Sequence, residues 1–145
     1  GLGVAVGHGQ ERGMPTWIAC VAHVAVDPSS GDVTLKKLWQ TIDVGTVVNP
    51  DGAMAQAEGA ALWGVSLALH EGAQFANGEV LEQNLDRYTP LRISDVPELD
   101  IAFVDSDEFP SGLGEPPLIP VAPAIGNAIF AATGQRVREL PIKLV

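Results

Sequence analysis

Apolar and polar positions alternate through the first third of the chain. Over residues 2–8 and 17–26, Val4, Val6, Ile18, Val21, Val24 and Val26 follow a partial period of two, and their β-branched side chains favour strands. DPSSGD at 27–32 is a turn by composition, and Val33, Leu35, Leu38 and Ile42 continue on an alternation that breaks midway. Strand, turn and strand predict an antiparallel hairpin. The period then changes. Asn49 is a candidate N-cap and Pro50 suits the first helical position, where its missing N–H costs nothing. Met54, Ala57, Ala61, Val65 and Ala68 recur at helical spacing, which predicts a helix of about 20 residues. Gly59 and Gly64 lie inside it, each costing about 1 kcal/mol relative to Ala, so both predict a closely packed neighbour, in this chain or in parts of the protein outside it. Asn77-Gly78 predicts a tight hairpin. ELDIAFVDS predicts a strand with Leu99, Ile101 and Phe103 on one face. A second helix is expected from near Pro123 to a stop at Gly134, followed by an extended tail, ELPIKLV. The predicted class is α+β: antiparallel hairpins packed with one long and one shorter helix.

Composition narrows the function classes. The chain has 145 residues, 46% of them hydrophobic, enough for one domain spanning 1–145 with a real core. It opens on Gly1 in strand-like sequence, without Met or a basic leader, and is expected to be a fragment of something longer. No apolar run reaches the roughly 18 residues of a membrane span, GAALWGVSLALHEG coming closest. The net charge of −10, with no basic stripe, argues against nucleic acid and anionic membrane surfaces as partners. The single Cys20 excludes an internal disulfide and reads as a small buried hydrophobe. His8, His23 and His70 form no ligand-spaced pair and no CxxC or HExxH occurs, so a protein-ligated metal is not expected; His23 reads as a core histidine. Ser66 sits in GVSLA rather than GxSxG, which makes a serine hydrolase a poor fit. The compartment, cytoplasmic or periplasmic, stays open.

The stretch GLGEPPLIP at 112–120 holds a lone carboxylate. Glu115 is the only ionisable side chain between Glu108 and Arg136. Gly112 and Gly114 permit close backbone approach, while Pro116 and Pro117 stiffen the chain on the C-terminal side and bias Glu115 toward extended geometry. Leu113, Leu118 and Ile119 offer an apolar wall, which would desolvate the carboxyl group and suit it to general-base work. The competing reading is an exposed turn residue ahead of a helix. Gln56, in AQAEGA on the long helix, is a second candidate, since an amide both donates and accepts; a solvated surface Gln is the plainer alternative. Glu58 and the acidic Asp105, Asp107 and Glu108 read as solvated.

Three stretches together resemble the C-terminal part of the molybdenum-binding large subunit of the xanthine dehydrogenase and aldehyde oxidase family, isoquinoline 1-oxidoreductase β-subunit type. They are DVGTVVNPDGAMAQAEGAALWGVSLAL at 43–69, QNLDRYTPLRISDVPELD at 83–100 and GLGEPPLIPVAPAIGNAIFAATGQRVRELPI at 112–142. The resemblance covers about two thirds of the chain strongly and the first 42 residues more weakly. It implies a molybdenum hydroxylase that inserts water-derived oxygen at an electrophilic carbon of an N-heterocycle or aldehyde. The metal would be held by a pterin, in simple or dinucleotide form, rather than by side chains. By the same resemblance Glu115 is the catalytic base, Gln56 lies near the cofactor, and Leu113 and Gly114 bring backbone against the metal site. Implied partners are the remainder of the large subunit, a small subunit carrying iron–sulfur clusters and a small-molecule substrate. The fragment alone is expected to be inactive. The rival reading is an isolated folding or docking domain in which GEPP is a rigid helix lead-in.

Overall fold

A computed structural model describes residues 1–11 and 13–144. The first three strands, β1 (Leu2–Glu11), β2 (Met14–Val26) and β3 (Val33–Asp43), form an antiparallel meander. The long helix α1 (Pro50–Leu69) comes next, then a small hairpin of β4 (Phe75–Ala76) and β5 (Glu79–Val80) around Asn77 and Gly78, both at positive φ as that turn requires. β6 (Glu98–Phe103) returns to pair with β3, giving the sheet order β1-β2-β3-β6. This last pairing is parallel, because α1 and the loops after it carry the chain back across the sheet before β6 begins. The shorter helix α2 (Val121–Thr133) closes the core, and Gly134 ends it at φ 75. The α+β expectation holds, with α2 starting two residues earlier than Pro123.

The broken alternation in β3 has a structural cause. Trp17 faces Asp43 and the pairing runs on to His23 opposite Lys37, but Val24 then faces Leu35, which leaves Lys36 bulged. A bulge adds one residue and shifts the phase of everything beyond it. Leu35 therefore points inward on one side of it, and Leu38, Gln40 and Ile42 on the other. In β2 the inward set is Thr16, Ile18, Cys20, Ala22 and Val24. That phase places His23 on the outer face, exposed and opposite Lys37, so it is not the core histidine expected from its apolar neighbours.

The two helices lie on one face of the sheet. Val65 and Ala68 of α1 and Val121, Ala124, Ile125, Ala128 and Ile129 of α2 share one core with Cys20, Ala22, Val24 and Leu38. α2 packs directly on the backbone of β1, whose inward positions are Gly3, Ala5, Gly7 and Gly9. Leu2, Val4 and Val6, on the other side of β1, are exposed, as is Trp17 beside them. Gly64 meets its predicted neighbour, since a Cβ there would stand 2.8 Å from Val121 Cβ. Gly59 does not: a Cβ there would meet nothing within 4 Å. Asn49 caps α1 as expected, its side-chain oxygen accepting from the Gly52 amide at 3.1 Å.

Contrary to the expectation that no run is long and apolar enough, the 18-residue stretch Pro116–Thr133 has the length and mean hydropathy, 1.2, of a membrane span. In this fold its apolar side is taken up by β1, β2 and α1, as in the core helix of a globular domain.

Cys20 is fully buried, as predicted, and burial pushes its thiol up to about 11 while the adjacent Gln40 amide pulls it down. Because the fold favours the neutral thiol, this contribution is fully present below the unfolded value of 9.0 and is lost as pH rises through about 11. The expected loss is up to roughly 3 kcal/mol. Thermal midpoints followed from about pH 8 to about pH 11 should therefore fall more steeply in the wild type than in Cys20→Ala. Parallel curves would contradict it.

Candidate functional site

The loop 112–117 sits at the end of the sheet where β2 begins and β3 ends. Its first anchor is the packing of Leu113 against Ile18, Ile42, Val44 and, on α1, Ala57. Gln56 is the residue before Ala57 and emerges beside the loop. A Cβ built on Gly114 would stand 3.6 Å from Gln56 Nε2, with no other atom within 4 Å beyond its chain neighbours. Gln56, Leu113, Gly114 and Glu115 thus come together from two elements separated by more than fifty residues. Gln56 and Glu115 are both exposed.

The structure corrects two expectations about Glu115. Its backbone is at φ −104, ψ −31, in the helical region rather than extended. The reason is local: Pro116–Leu118 forms a single turn of 3-10 helix, in which the Leu118 amide donates to the Glu115 carbonyl at 3.0 Å and the Ile119 amide to that of Pro116 at 3.1 Å. These bonds and the surrounding packing outweigh the steric preference that a following proline imposes. The carboxylate is also not desolvated by this chain. Pro116 and Pro117 are buried, but Glu115 itself is exposed and Ile119 turns toward Gly7 of β1.

What the prolines do is withhold partners. A carboxylate at the start of a helical turn ordinarily accepts from the first free amides. Here the first two positions are prolines, which have no N–H, and the next two amides are already bonded to main-chain carbonyls. The Glu115 side chain makes no capping bond. It is a carboxylate held at a fixed place with nothing local to hold.

Beneath the loop lie residues that the motif reading missed. Thr16 and Gln40 are polar yet 1% and 2% exposed. Thr16 Oγ1 donates to the Gly112 carbonyl and lies 2.8 Å from Ser111 Oγ, while Gln40 Nε2 donates to the Pro117 carbonyl at 2.6 Å. The signal available was a polar residue in the inward phase of a strand. Ser66 is also buried, and its hydroxyl accepts from the Leu91 amide at 2.8 Å, a structural role. Asp105, Asp107 and Glu108 are exposed, as expected. Among the described residues, no group of three or more His, Cys, Asp or Glu gathers that could ligate a metal ion.

The four-stranded sheet, the two helices on one face and the proline-stiffened loop thus present Gln56 and Glu115 on an exposed face of the domain. The chain belongs to the molybdopterin cofactor-binding domain family, whose profile matches residues 4–97. It is 58% identical over 142 residues, 98% of its length, to a membrane-bound aldehyde dehydrogenase [pyrroloquinoline-quinone] of Gluconacetobacter polyoxogenes. It is 35% identical over 143 residues to the isoquinoline 1-oxidoreductase subunit beta of Brevundimonas diminuta. Among solved structures, the aldehyde oxidoreductase of Desulfovibrio gigas matches with a TM-score of 0.75 and 31% identity over 88% of this chain. The chain spans 18% of each of those two curated relatives and 14% of the solved chain. The resemblance read from GEPP, AQAEG and the helix after them is therefore borne out at the level of family.

Proposed function

We propose that the chain is the C-terminal portion of the molybdopterin-binding domain of a molybdenum-dependent oxidoreductase. The enzyme would oxidise an aldehyde or an N-heterocycle, with Glu115 as its general base. The observation that carries this reading is the Glu115 carboxylate itself, presented without a local hydrogen-bond donor beside the Gln56 amide and the bare Gly114 backbone. Such a face suits a molybdenum–pterin group. Gly114 leaves room for a large rigid molecule to reach the main chain, and Gln56 offers both a donor and an acceptor to a polyfunctional ring system. The face holds no thiolate or imidazole, which suits a metal already ligated by its own cofactor.

When bound, that group would supply a Lewis-acidic metal that accepts two electrons from the substrate carbon. The residues of this chain would move the proton and seat the cofactor. Glu115 accepts the proton of the water-derived nucleophile on a carboxylate oxygen. Gln56 would hydrogen-bond the cofactor, and Leu113 seats the loop against α1 so that Gly114 could approach it. The remainder of the large subunit would complete the pocket and exclude water from it, and electrons would leave through iron–sulfur clusters on a small partner subunit.

The name of the Gluconacetobacter relative gives pyrroloquinoline quinone to that protein, and this defines the second reading. The family match and the GEPP loop favour the pterin. Metal analysis of the purified complete enzyme, with chromatography of its extracted cofactors, separates the two. About one molybdenum per large subunit together with a pterin is expected. Stoichiometric quinone without molybdenum would replace this proposal.

A further inference from the structure

We propose that Gln40 and Thr16 are positioning residues, which clamp the Glu115 loop at both ends and so fix where its carboxylate points. This rests on the reading of Glu115 as the base. The upstream clamp is a relay. The one proton of Thr16 Oγ1 goes to the Gly112 carbonyl, so in the 2.8 Å contact with Ser111 Oγ it is Ser111 that donates, the Val44 carbonyl at 3.3 Å being the other acceptor within reach of that proton. Ser111 is itself held by its amide, which donates to the Val44 carbonyl at 2.9 Å. The downstream clamp is Gln40 Nε2, which donates to the Pro117 carbonyl at 2.6 Å. Between the two clamped carbonyls, Leu113 is packed in the core and Pro116 has a fixed φ. Glu115 is therefore anchored from both sides by β2 and β3.

Gln40 is not there for stability alone. Its Oε1 is buried without a hydrogen-bond partner. Directly across the sheet stands Cys20, whose thiol is a weak donor. An apolar side chain of the same length would fill the space without that orphaned oxygen, but it would release the loop. A base displaced by about 1 Å loses on the order of a hundredfold in rate, so the cost of the buried amide is understandable if it places Glu115.

The test uses the complete molybdenum-loaded enzyme. Gln40→Met keeps the length and removes the donor; Thr16→Val removes the hydroxyl, and Thr16→Ser restores it. The first two should lower kcat by about 10- to 100-fold, with KM changed less than about threefold and molybdenum content at the wild-type level. Thr16→Ser should retain the rate. Hydrogen exchange should quicken at the Leu118 and Ile119 amides, whose bonds hold the turn after Glu115. In a Glu115→Gln background, Gln40→Met should cost nothing further, because it acts only through the carboxylate.

Wild-type kcat in Gln40→Met and Thr16→Val, unchanged exchange, or an equal fold-loss with and without Glu115 would each overturn the clamp and leave the base assignment standing. Wild-type turnover in Glu115→Gln would remove the base assignment, and this inference with it. If Gln40→Met does not assemble, the Thr16→Val and Thr16→Ser pair decides alone.

Discussion

Replacing Glu115 with Gln in the complete enzyme should lower kcat by about 10²- to 10⁴-fold, the range that a positioned general base contributes. Molybdenum content and KM should stay near wild type. The substitution is nearly isosteric and keeps a hydrogen-bonding side chain, but an amide cannot take a proton from a nucleophile near neutral pH. Little structural loss is expected, because Glu115 is exposed and its side chain caps nothing in the adjoining turn. The backbone bonds of that turn come from Leu118 and Ile119 and do not involve the side chain. A rate loss with cofactor retained therefore isolates the chemical step. Turnover at the wild-type rate would mean that the loop serves only to lead into α2, which is the docking reading.

The largest effect on stability is expected at Gly3→Ala. A Cβ there would stand 2.1 Å from the Ala128 amide nitrogen and 2.3 Å from the Ala124 carbonyl oxygen. Both atoms are main chain and inside α2, so no rotamer change relieves the overlap. The helix must lift from β1, and Ala124, Ile125, Ala128 and Ile129 would lose their packing with it. Overpacking of this kind costs typically 1–3 kcal/mol, and the backbone contacts put this case at about 3 kcal/mol or above. Gly59→Ala makes the contrast. Its Cβ would meet nothing within 4 Å, so within this chain the helix should gain up to about 1 kcal/mol. Thermal midpoints of the assembled protein should move in opposite directions. A stable Gly3→Ala would contradict the seating of α2 on β1, whereas a destabilising Gly59→Ala would place a neighbour from outside the chain over that face of α1.

Much of the fold was legible because local signals agreed with one another. Asn49-Pro50 set the start of α1, Gly134 the end of α2 and Asn77-Gly78 the small hairpin, each through backbone chemistry that acts within a few residues. Inward and outward faces were less legible. In β1 the valines that mark a strand turn outward and the glycines turn inward, because helix and sheet approach closely only where there is no Cβ. His23 obeys the same logic: its phase is fixed by the strand, not by the character of its neighbours in sequence. The parallel placement of β6 depends on where α1 lies, a tertiary fact with no local signature.

The motif at 112–117 and Gln56, more than fifty residues apart in the chain, lie side by side in the fold, with α1 bordering the loop. Its conformation was misjudged, since the preference imposed by a following proline is weak enough for a hydrogen-bonded turn to reverse it. The expected apolar wall around Glu115 is not supplied by Leu113, which is spent on the core, or by Ile119, which is turned toward Gly7 of β1. In the proposed enzyme, drying of the carboxylate falls to the remainder of the large subunit.

The most direct measurement is a structure of the complete enzyme with its cofactor bound. The Glu115 carboxylate should lie within hydrogen-bond reach, about 3 Å or through one water, of the position where the nucleophilic oxygen sits beside molybdenum. Gln56 should contact the pterin group from the neighbouring helix. A Glu115 side chain found in open solvent, with the metal beyond the far side of the sheet, would contradict both its role and the face assigned to it.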